Sequence, residues 1–584
     1  ALSSAASDVY KRQRLYGITF KENKEIPVDR LTILGQDISA FKIISTEEDR
    51  GAASTLRDYI AKATGVTPEC IREHSGESYP YEIVVGVCNT RSPQSVVDRR
   101  AKLGDEGYMI YAEENRLYIS GATMRGTYYA VISFLEDYIG CRFFTEDCEV
   151  VLPAASLEIP AGTDEFFVPK LFYRAEYADF CNNNRYAPKH KLNAYLSGNL
   201  DGYGGGVSYA AGAFVHTFRQ LAEMKEYKVG DQPCLTDPAV YETVLKNVRA
   251  WLDSNRNATI ISVSPNDSYT NQAGCRCANC KALDDQYGSP MGSLLTFVNR
   301  IARDIREDYP QVYVETLAYH YTQTPPVGLV AEDNVLIRLC PSACCMVHGI
   351  AGCERGDTFR ADLTAWSKIC KNLSIWHYSV NFGNYLLPLP NLFSIYDDVQ
   401  LYLQNGVVSI FDEAAYNSRT GEFEELRSYL FSKLMWNPDM TREEYERHMN
   451  EFLQYYYGDG WEYIRRYIDA TYTEIAGVAH FNHAANAETV YPVEKSDDSF
   501  AFLSAMYGLF EKAEAAATTP EEATRIRKSS VQALYLWLYR MDRFAPEDMK
   551  EKLAALIKEA HIAMSSEGRV VPAKLPVRKP VRLW

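Results

Sequence analysis

The sequence predicts an α/β protein built on a central (β/α)8 TIM-like barrel, preceded by a small α/β domain and followed by an all-helical C-terminal region. Three observations carry this. Between residues 163 and 436 strand-like and helix-like segments alternate, as parallel βα units do. Eight strand-like segments fall in that stretch, the number that closes such a barrel. After Trp436 strand signals vanish and only helical periodicity remains. The chain divides accordingly into an arm (1–26), an accessory α/β domain (27–162), the barrel (163–436) and a helical domain (437–584).

The arm opens ALSSAASDVYKRQ, with no charged segment followed by an apolar one, so no signal peptide is readable. It resembles a translated adapter read-through and is set aside. In the accessory domain, 31–34 and 81–87 read as strands and 46–63 as a helix with an acidic first turn. Residues 107–112 and 115–120 read as a hairpin about Glu113-Glu114, and 121–140 as a helix ended by Gly140. The pair Arg125-Gly126 lacks any P-loop or dinucleotide pattern, so phosphate binding is not implied.

A linker with three prolines, 153–169, leads into the barrel. Its eight expected strands are 171–177, 192–196, 213–216, 259–263, 312–318, 335–339, 373–377 and 407–411. The clearest helices are 239–254, 292–308, 359–371, 392–404 and 422–435. The glycine-rich run 198–212 lacks a Lys-Ser/Thr ending and reads as a loop at the barrel mouth, not a nucleotide cradle. Beyond it, Thr441 caps a helix over 441–457, and further helices are expected at 461–475, 497–517, 520–543 and 546–566 before a basic, proline-rich tail.

Composition narrows the function. A formal net charge of −16 without an offsetting basic block argues against nucleic acid or anionic membrane as partner. No apolar run reaches the roughly 18 residues of a membrane span. The 42 Tyr, 24 Phe and 7 Trp suffice to line sugar-stacking clefts. Fourteen cysteines are too sparse for a disulfide scaffold but many for a cytosolic enzyme, which favours an exported, periplasmic or extracellular protein. Oligomeric state is not legible.

Polar groups collect at the expected C-terminal strand ends, where barrels carry their chemistry. The fourth strand breaks at Pro265 and sets Asn266 and Asp267 just past its end. Glu315 lies in the fifth, with Tyr319 and His320 at its exit; His216 ends the third; Trp376, His377 and Tyr378 end the seventh; Asp412 and Glu413 follow the eighth. Converging carboxylates and aromatics are what glycoside hydrolysis needs: one carboxyl protonates the leaving oxygen, and another acts as base or nucleophile. The assignment is Asp267 as general acid and Asp412 or Glu413 as partner, with His216, Asn266, Glu315, Tyr319, His320, Trp376, His377 and Tyr378 binding sugar. The plainer reading makes Asp267 an Asx-turn residue and several others barrel filling, Glu315 above all as a buried, paired charge. No cofactor is required. Cys275, Cys277 and Cys280 form C-x-C-x2-C, which could hold a structural zinc with Cys340, Cys344, Cys345, Cys353 or His348, or form disulfides that pin loops.

Two resemblances follow. Glu106-Gly107-Tyr108, Gly121, Arg125-Gly126, Tyr129, Leu135-Glu136 and 140–144 (GCRFF) resemble the N-terminal accessory domain of α-glucuronidases and β-hexosaminidases. The stretches SVSPNDS, CRCANCKALDDQYGSPMGSLLTFVNRIARDIREDYP, NVLIRLCPSACC, NYLLPLPNLFSIYDDVQLYLQNGVVSIFDEAAY and LRSYLFSKLMWNPD resemble the bacterial domain-of-unknown-function 4838 family. Together they imply a glycoside-hydrolase-like barrel, with no substrate attached. Where that family shows Glu-Gln-Gly, this chain has Asp412-Glu413-Ala414, which aligns Asp412 with the family's glutamate. Asn266-Asp267 is similar to the acid pairs of substrate-assisted hexosaminidases, with an amide in first place. The expected function is an exo-acting glycoside hydrolase on polysaccharide-derived oligosaccharides. The alternatives are a carbohydrate-binding protein on a hydrolase-like barrel, or a zinc-dependent hydrolase.

Overall fold

The computed structural model describes residues 26–74, 77–194, 198–225, 231–268 and 274–572. The expectations for the arm, for most of the basic tail and for the end of the 192–196 strand lie outside these.

Two mixed sheets form the accessory part. The larger runs Asp164–Phe167, Tyr108–Glu113, Arg116–Gly121, Glu82–Val85, Lys42–Ser45, Glu69–Arg72 from edge to edge. The expected hairpin forms about Glu113-Glu114. Helix Met124–Phe134 then packs on the sheet. It is capped by the Thr123 hydroxyl, which accepts from the Gly126 N–H, and after one wide turn it ends at Gly140 in the left-handed region. The glycines of this motif are there for packing: a Cβ on Gly121 would meet the Gly126 carbonyl carbon at 2.3 Å.

The central sheet has six parallel strands: β1 (Tyr173–Glu176), β2 (Ile260–Ser262), β3 (Tyr313–Ala318), β4 (Val335–Leu339), β5 (Asn372–Tyr378) and β6 (Val407–Glu413). Their order is β1-β6-β5-β4-β3-β2. The sheet curls into a half-barrel, with helices Pro238–Ser254, Met291–Ile305, Asp357–Trp366, Ser394–Gln404 and α1 (Glu424–Trp436) among those around it. Leu, Ile, Val and aromatic side chains of these helices and of the convex strand face make one continuous core.

The eight-stranded expectation therefore needs correction. Neither 192–196 nor 213–216 forms a strand among the described residues. Between β1 and β2 no further strand forms among the described residues; single bridges join Ala194 to Val207 and Tyr209 to Ile260 before helix Pro238–Ser254. Asn193 does a strand's work with its side chain: Oδ1 accepts from the Arg174 N–H (2.8 Å), and Nδ2 donates to the Phe172 carbonyl (2.7 Å) and to Glu106 (2.7 Å). The glycine-rich run supplies no regular backbone to pair, so side chains fill the gap.

The concave face is closed from below by Arg338 on β4. Its guanidinium pairs with Glu315 on β3 at 2.5 Å and donates to the Tyr209 hydroxyl at 2.7 Å, which in turn donates to Glu315 at 3.1 Å. The rings of Tyr173, Phe214, Trp376 and Phe411 surround it within 4.9–5.8 Å. Both charged groups are fully buried.

Beyond β6, α1 is buried on nearly every side. The helices Arg442–Tyr457, Trp461–Glu474, Asp497–Ala516, Pro520–Met541 and Glu547–Glu559 follow, the first begun by a reciprocal Thr441/Glu444 capping box. The helical region ends in a short hairpin (Met564–Ser566, Arg569–Val570) where helix was expected up to 566. That hairpin docks on the loop after β5: the Tyr385 N–H donates to the Ser565 carbonyl (2.9 Å) and the Glu567 N–H to the Phe382 carbonyl (3.0 Å). Charged pairs tie the accessory part to the rest, with Glu106 on Arg174 (2.8 Å) and Arg142 on Glu451 (2.8 Å). No described helix is long and apolar enough to cross a membrane.

Removing one member of the Arg338–Glu315 pair strands a charge in the interior. Glu315→Ala should cost about 3–5 kcal/mol, while the double change Glu315→Met with Arg338→Met should be milder. Chemical denaturation of the full chain compares them, and a double variant less stable than the single would contradict the assignment.

Candidate active site

Side-chain alternation along β5 and β6 decides what reaches the mouth of the half-barrel. Ser409 and Phe411 point to the concave face, meeting Ser374 (2.7 Å between hydroxyls) and Trp376 (4.6 Å between ring centroids). Ile410 belongs to the core under the helices. Glu413, two residues beyond Phe411, therefore shares the concave face with its register neighbour Tyr378. The Trp376 indole N–H donates to Glu413 Oε2 at 2.7 Å. Burial pushes the Glu413 carboxyl up to about 8, and the charges of Glu567, Asp412 and Asp267 add to the rise while the indole bond opposes it.

Asp267, half-exposed just past β2, lies near enough for its charge to act on Glu413, Tyr378 and His320. Burial lowers the His320 imidazole, and Asp267 opposes that shift. The Tyr319 and His320 rings lie 3.9 Å apart at the end of β3. Four residues not singled out from the sequence complete the mouth. Tyr177 and Tyr416 stack at 5.2 Å and 3°. The Tyr416 hydroxyl donates to Glu567 of the C-terminal hairpin at 3.0 Å. His483 stacks on Tyr378 at 4.8 Å. Glu567 and His483 lie 154 and 70 residues after Glu413 in the chain, so no local spacing could connect them with it.

Other residues expected at the site lie elsewhere. Asp412 is on the convex face of β6, fully buried beside its register partner Glu176, whose Oε1 accepts from Ser428 of α1 at 2.9 Å. Burial pushes Asp412 up to about 6, and burial with the Asp412 charge holds Glu176 well above the usual range. The two carboxyls lie side by side between sheet and helix, both raised by burial and away from the concave face. His377 is on that face too, with Nδ1 2.9 Å from the Tyr402 hydroxyl and burial holding it down at about 3. Glu315 lies under the aromatic floor, paired with Arg338. Asn266 is consumed by scaffolding: its side chain accepts from the Arg219 N–H and donates to the Asp231 carbonyl (both 2.8 Å), which fixes the loop that carries Asp267. His216 stands at the rim with Nδ1 2.8 Å from the Pro265 carbonyl.

The cysteines gather in a way the spacing did not give. Cys275, Cys277 and Cys280 meet Cys234, with ligand atoms all within 4.8 Å of one another. None of the five suggested fourth partners joins them; Cys345, His348 and Cys353 meet His480 instead. All fourteen cysteines are unpaired by disulfides. A cleft of about 520 Å³ opens beside the first cluster, walled by Gln232, Arg276, Asp284 and Tyr321, and contains neither Asp267 nor Glu413.

Residues 143–469, more than half of the chain, match the family described as Domain of unknown function (DUF4838). Residues 37–136 match Glycosyl hydrolase family 20, domain 2. No curated protein matches. Among solved structures, the chain is similar to a family GH115 4-O-methyl-α-glucuronidase with specificity for decorated arabinogalactans, at TM-score 0.58 and 12% identity, over 93% of this chain and 82% of that one. A GH138 enzyme targeting pectin rhamnogalacturonan II aligns at TM-score 0.44 and 10% identity, over 93% and 96%. The first likeness supports the α/β fold with a curled parallel half-barrel and many helices.

Because Glu413 keeps a proton that the unfolded chain releases, its contribution to stability falls as pH rises from the ordinary glutamate range to about 8. Glu413→Gln removes that loss. Relative to the parent, the variant should gain in melting temperature between pH 5 and pH 9, and a pH-independent difference would refute the shifted carboxyl.

Proposed function

The chain belongs to the DUF4838 family, and from that premise we propose that it is a glycoside hydrolase in which Glu413 is the general acid and Asp267 its partner. The observation that carries the reading is the half-buried Glu413 carboxyl on the concave face, pushed up to about 8, with half-exposed Asp267 near enough for its charge to add to that rise. Glycosidic cleavage needs that asymmetry: one carboxyl must hold a proton for the leaving oxygen while another is ionised as base or nucleophile. This reverses the roles expected from the sequence. Asp267 was expected to be the acid, but it is Glu413 that burial and three neighbouring negative charges keep neutral.

In the proposed cycle a terminal sugar enters against the rings of Tyr177, Trp376 and Tyr378, which offer faces for its C–H surface. Glu413 donates its proton to the glycosidic oxygen as the bond to the anomeric carbon breaks. Asp267 then either bonds the anomeric carbon, giving a glycosyl-enzyme that water cleaves while returning a proton to Glu413, or takes a proton from a water that attacks that carbon. Trp376, by donating to Glu413 Oε2, orients the acid and leaves its other oxygen for the substrate. Exo action on polysaccharide-derived oligosaccharides fits a site walled on one side by the C-terminal hairpin. Decorated arabinogalactans, named for the GH115 enzyme of similar fold, are the first substrates to screen.

Glu413→Gln and Asp267→Asn should each reduce glycoside turnover about 10²–10⁴-fold with the circular dichroism spectrum unchanged. The rate should also decline as pH passes about 8, where Glu413 loses its proton. Undiminished turnover in either variant would overturn the assignment, and glycan binding without turnover by the unmutated protein would identify a lectin-like role.

A further inference from the structure

Four side chains that the proposed chemistry does not use converge on one point, two of them, Cys345 and Cys353, within an apolar cluster. Cys345 and His348 belong to the loop after β4, Cys353 follows the short helix Gly349–Gly352, and His480 follows helix Trp461–Glu474. Their ligand atoms all lie within 4.8 Å of one another. Cys345 Sγ is 3.5 Å from His348 Nδ1, and Cys353 Sγ is 3.5 Å from His480 Nδ1. A tetrahedral zinc with Zn–S of about 2.3 Å and Zn–N of about 2.0–2.1 Å has sulfur-to-nitrogen edges of about 3.5–3.6 Å. The two imidazole rings lie 4.3 Å apart, tilted by 46°.

The protonation of His348 points the same way. Its Nε2 lies 2.5 Å from the Ala476 carbonyl, an acceptor only, so Nε2 carries the hydrogen and Nδ1 presents a lone pair to the cluster. Apolar packing would not aim four heteroatoms inward. A Cys345–Cys353 disulfide would leave two imidazoles directed at oxidised sulfur, and neither cysteine is so bonded.

We propose that Cys345, His348, Cys353 and His480 bind one Zn²⁺ as a closed structural site. Two thiolates and two imidazoles in a tetrahedron select zinc over the hard cations, and with all four positions filled by protein no place remains for a substrate or water. The ion would staple the loop after β4 to the segment 476–483, where the Met346 N–H already donates to the Phe481 carbonyl (3.0 Å). That segment also carries His483, which stacks on Tyr378, so the staple sets one wall of the mouth.

An independent set of atoms would hold a second ion in the same way. Cys234 Sγ lies 3.6 Å from Cys277 Sγ and 3.9 Å from Cys280 Sγ. A disulfide would need about 2.05 Å, whereas the edge of a zinc tetrathiolate with Zn–S of about 2.3 Å is about 3.8 Å. With Cys275 completing four thiols, this site too is closed.

The test is zinc content of the full chain, expressed with excess zinc, desalted and measured by plasma emission. Two ions per chain are expected, falling to one in Cys353→Ser or His480→Ala and to one in Cys277→Ser. Cobalt substitution of the unmutated protein gives a readout independent of variant folding, since thiolate-to-cobalt charge-transfer absorption should appear with the intensity of six Co–S bonds. Zinc unchanged by Cys353→Ser and His480→Ala, or a Cys345–Cys353 disulfide found by thiol titration and peptide mapping, would overturn the Cys2His2 site. Zinc unchanged by Cys277→Ser would overturn the tetrathiolate.

Discussion

The mouth of the half-barrel rests on one buried ion pair. Arg338 and Glu315 come from adjacent strands, are fully out of water, and are joined to Tyr209 by hydrogen bonds at both ends. Such a pair is a poor source of net stability, because desolvation offsets its attraction. Its value is positional. Tyr209 lies in the irregular stretch after β1, where the described backbone makes single bridges and no ladder. Tethering it to β3 and β4 closes the sheet where strands are missing. The same guanidinium lies among Phe214, Trp376 and Phe411, which form the floor beneath Glu413. A hydrophobic replacement could fill the volume but could not fix Tyr209 and the floor in one geometry.

From that floor upward, the period of two in a strand decides which side chains can act. Asp412 and Glu413 are neighbours in sequence and opposites in space. Glu413 meets Trp376 and Tyr378, while Asp412 meets Glu176 behind the sheet. The alignment of Asp412 with the family's glutamate followed the order of residues and not the face they occupy. Phe411 carried the information needed to choose: an aromatic two residues before Glu413, in a strand whose alternate residues are aliphatic, marks the concave side. The same rule separates Trp376 and Tyr378 from His377.

Much of the fold was legible because its signals are local. Strands rich in β-branched residues, the Thr441 cap, the Gly140 stop and the Glu113-Glu114 hairpin are all short-range physics and appear where expected. The expected strands at 192–196 and 213–216 fail for a non-local reason. The glycine-rich run between them offers no regular partner, so Asn193 and Tyr209 replace a ladder with side-chain bonds. Long-range partners were invisible for the same cause. Cys234 is 41 residues before Cys275, and His480 is 127 after Cys353, separations at which a sequence of one protein shows only that a cysteine or histidine exists.

Glu567 takes this furthest. The hairpin carrying it docks on the loop after β5 through backbone bonds, and Tyr416 holds its carboxylate. Among the neighbouring charges that keep the Glu413 proton in place, Glu567 acts most strongly, ahead of Asp412 and Asp267. In the proposed reaction the acid strength of a group at the end of β6 is therefore set in part by a residue 154 positions further along the chain. The helical region is thus more than a buttress: it delivers a charge that a barrel alone could not place, and it carries His483 to the opposite wall. A carboxyl that must be neutral at rest and give up its proton on demand is tuned here by burial first and by distant negative charge second. Both depend on the C-terminal segments closing over the strand ends.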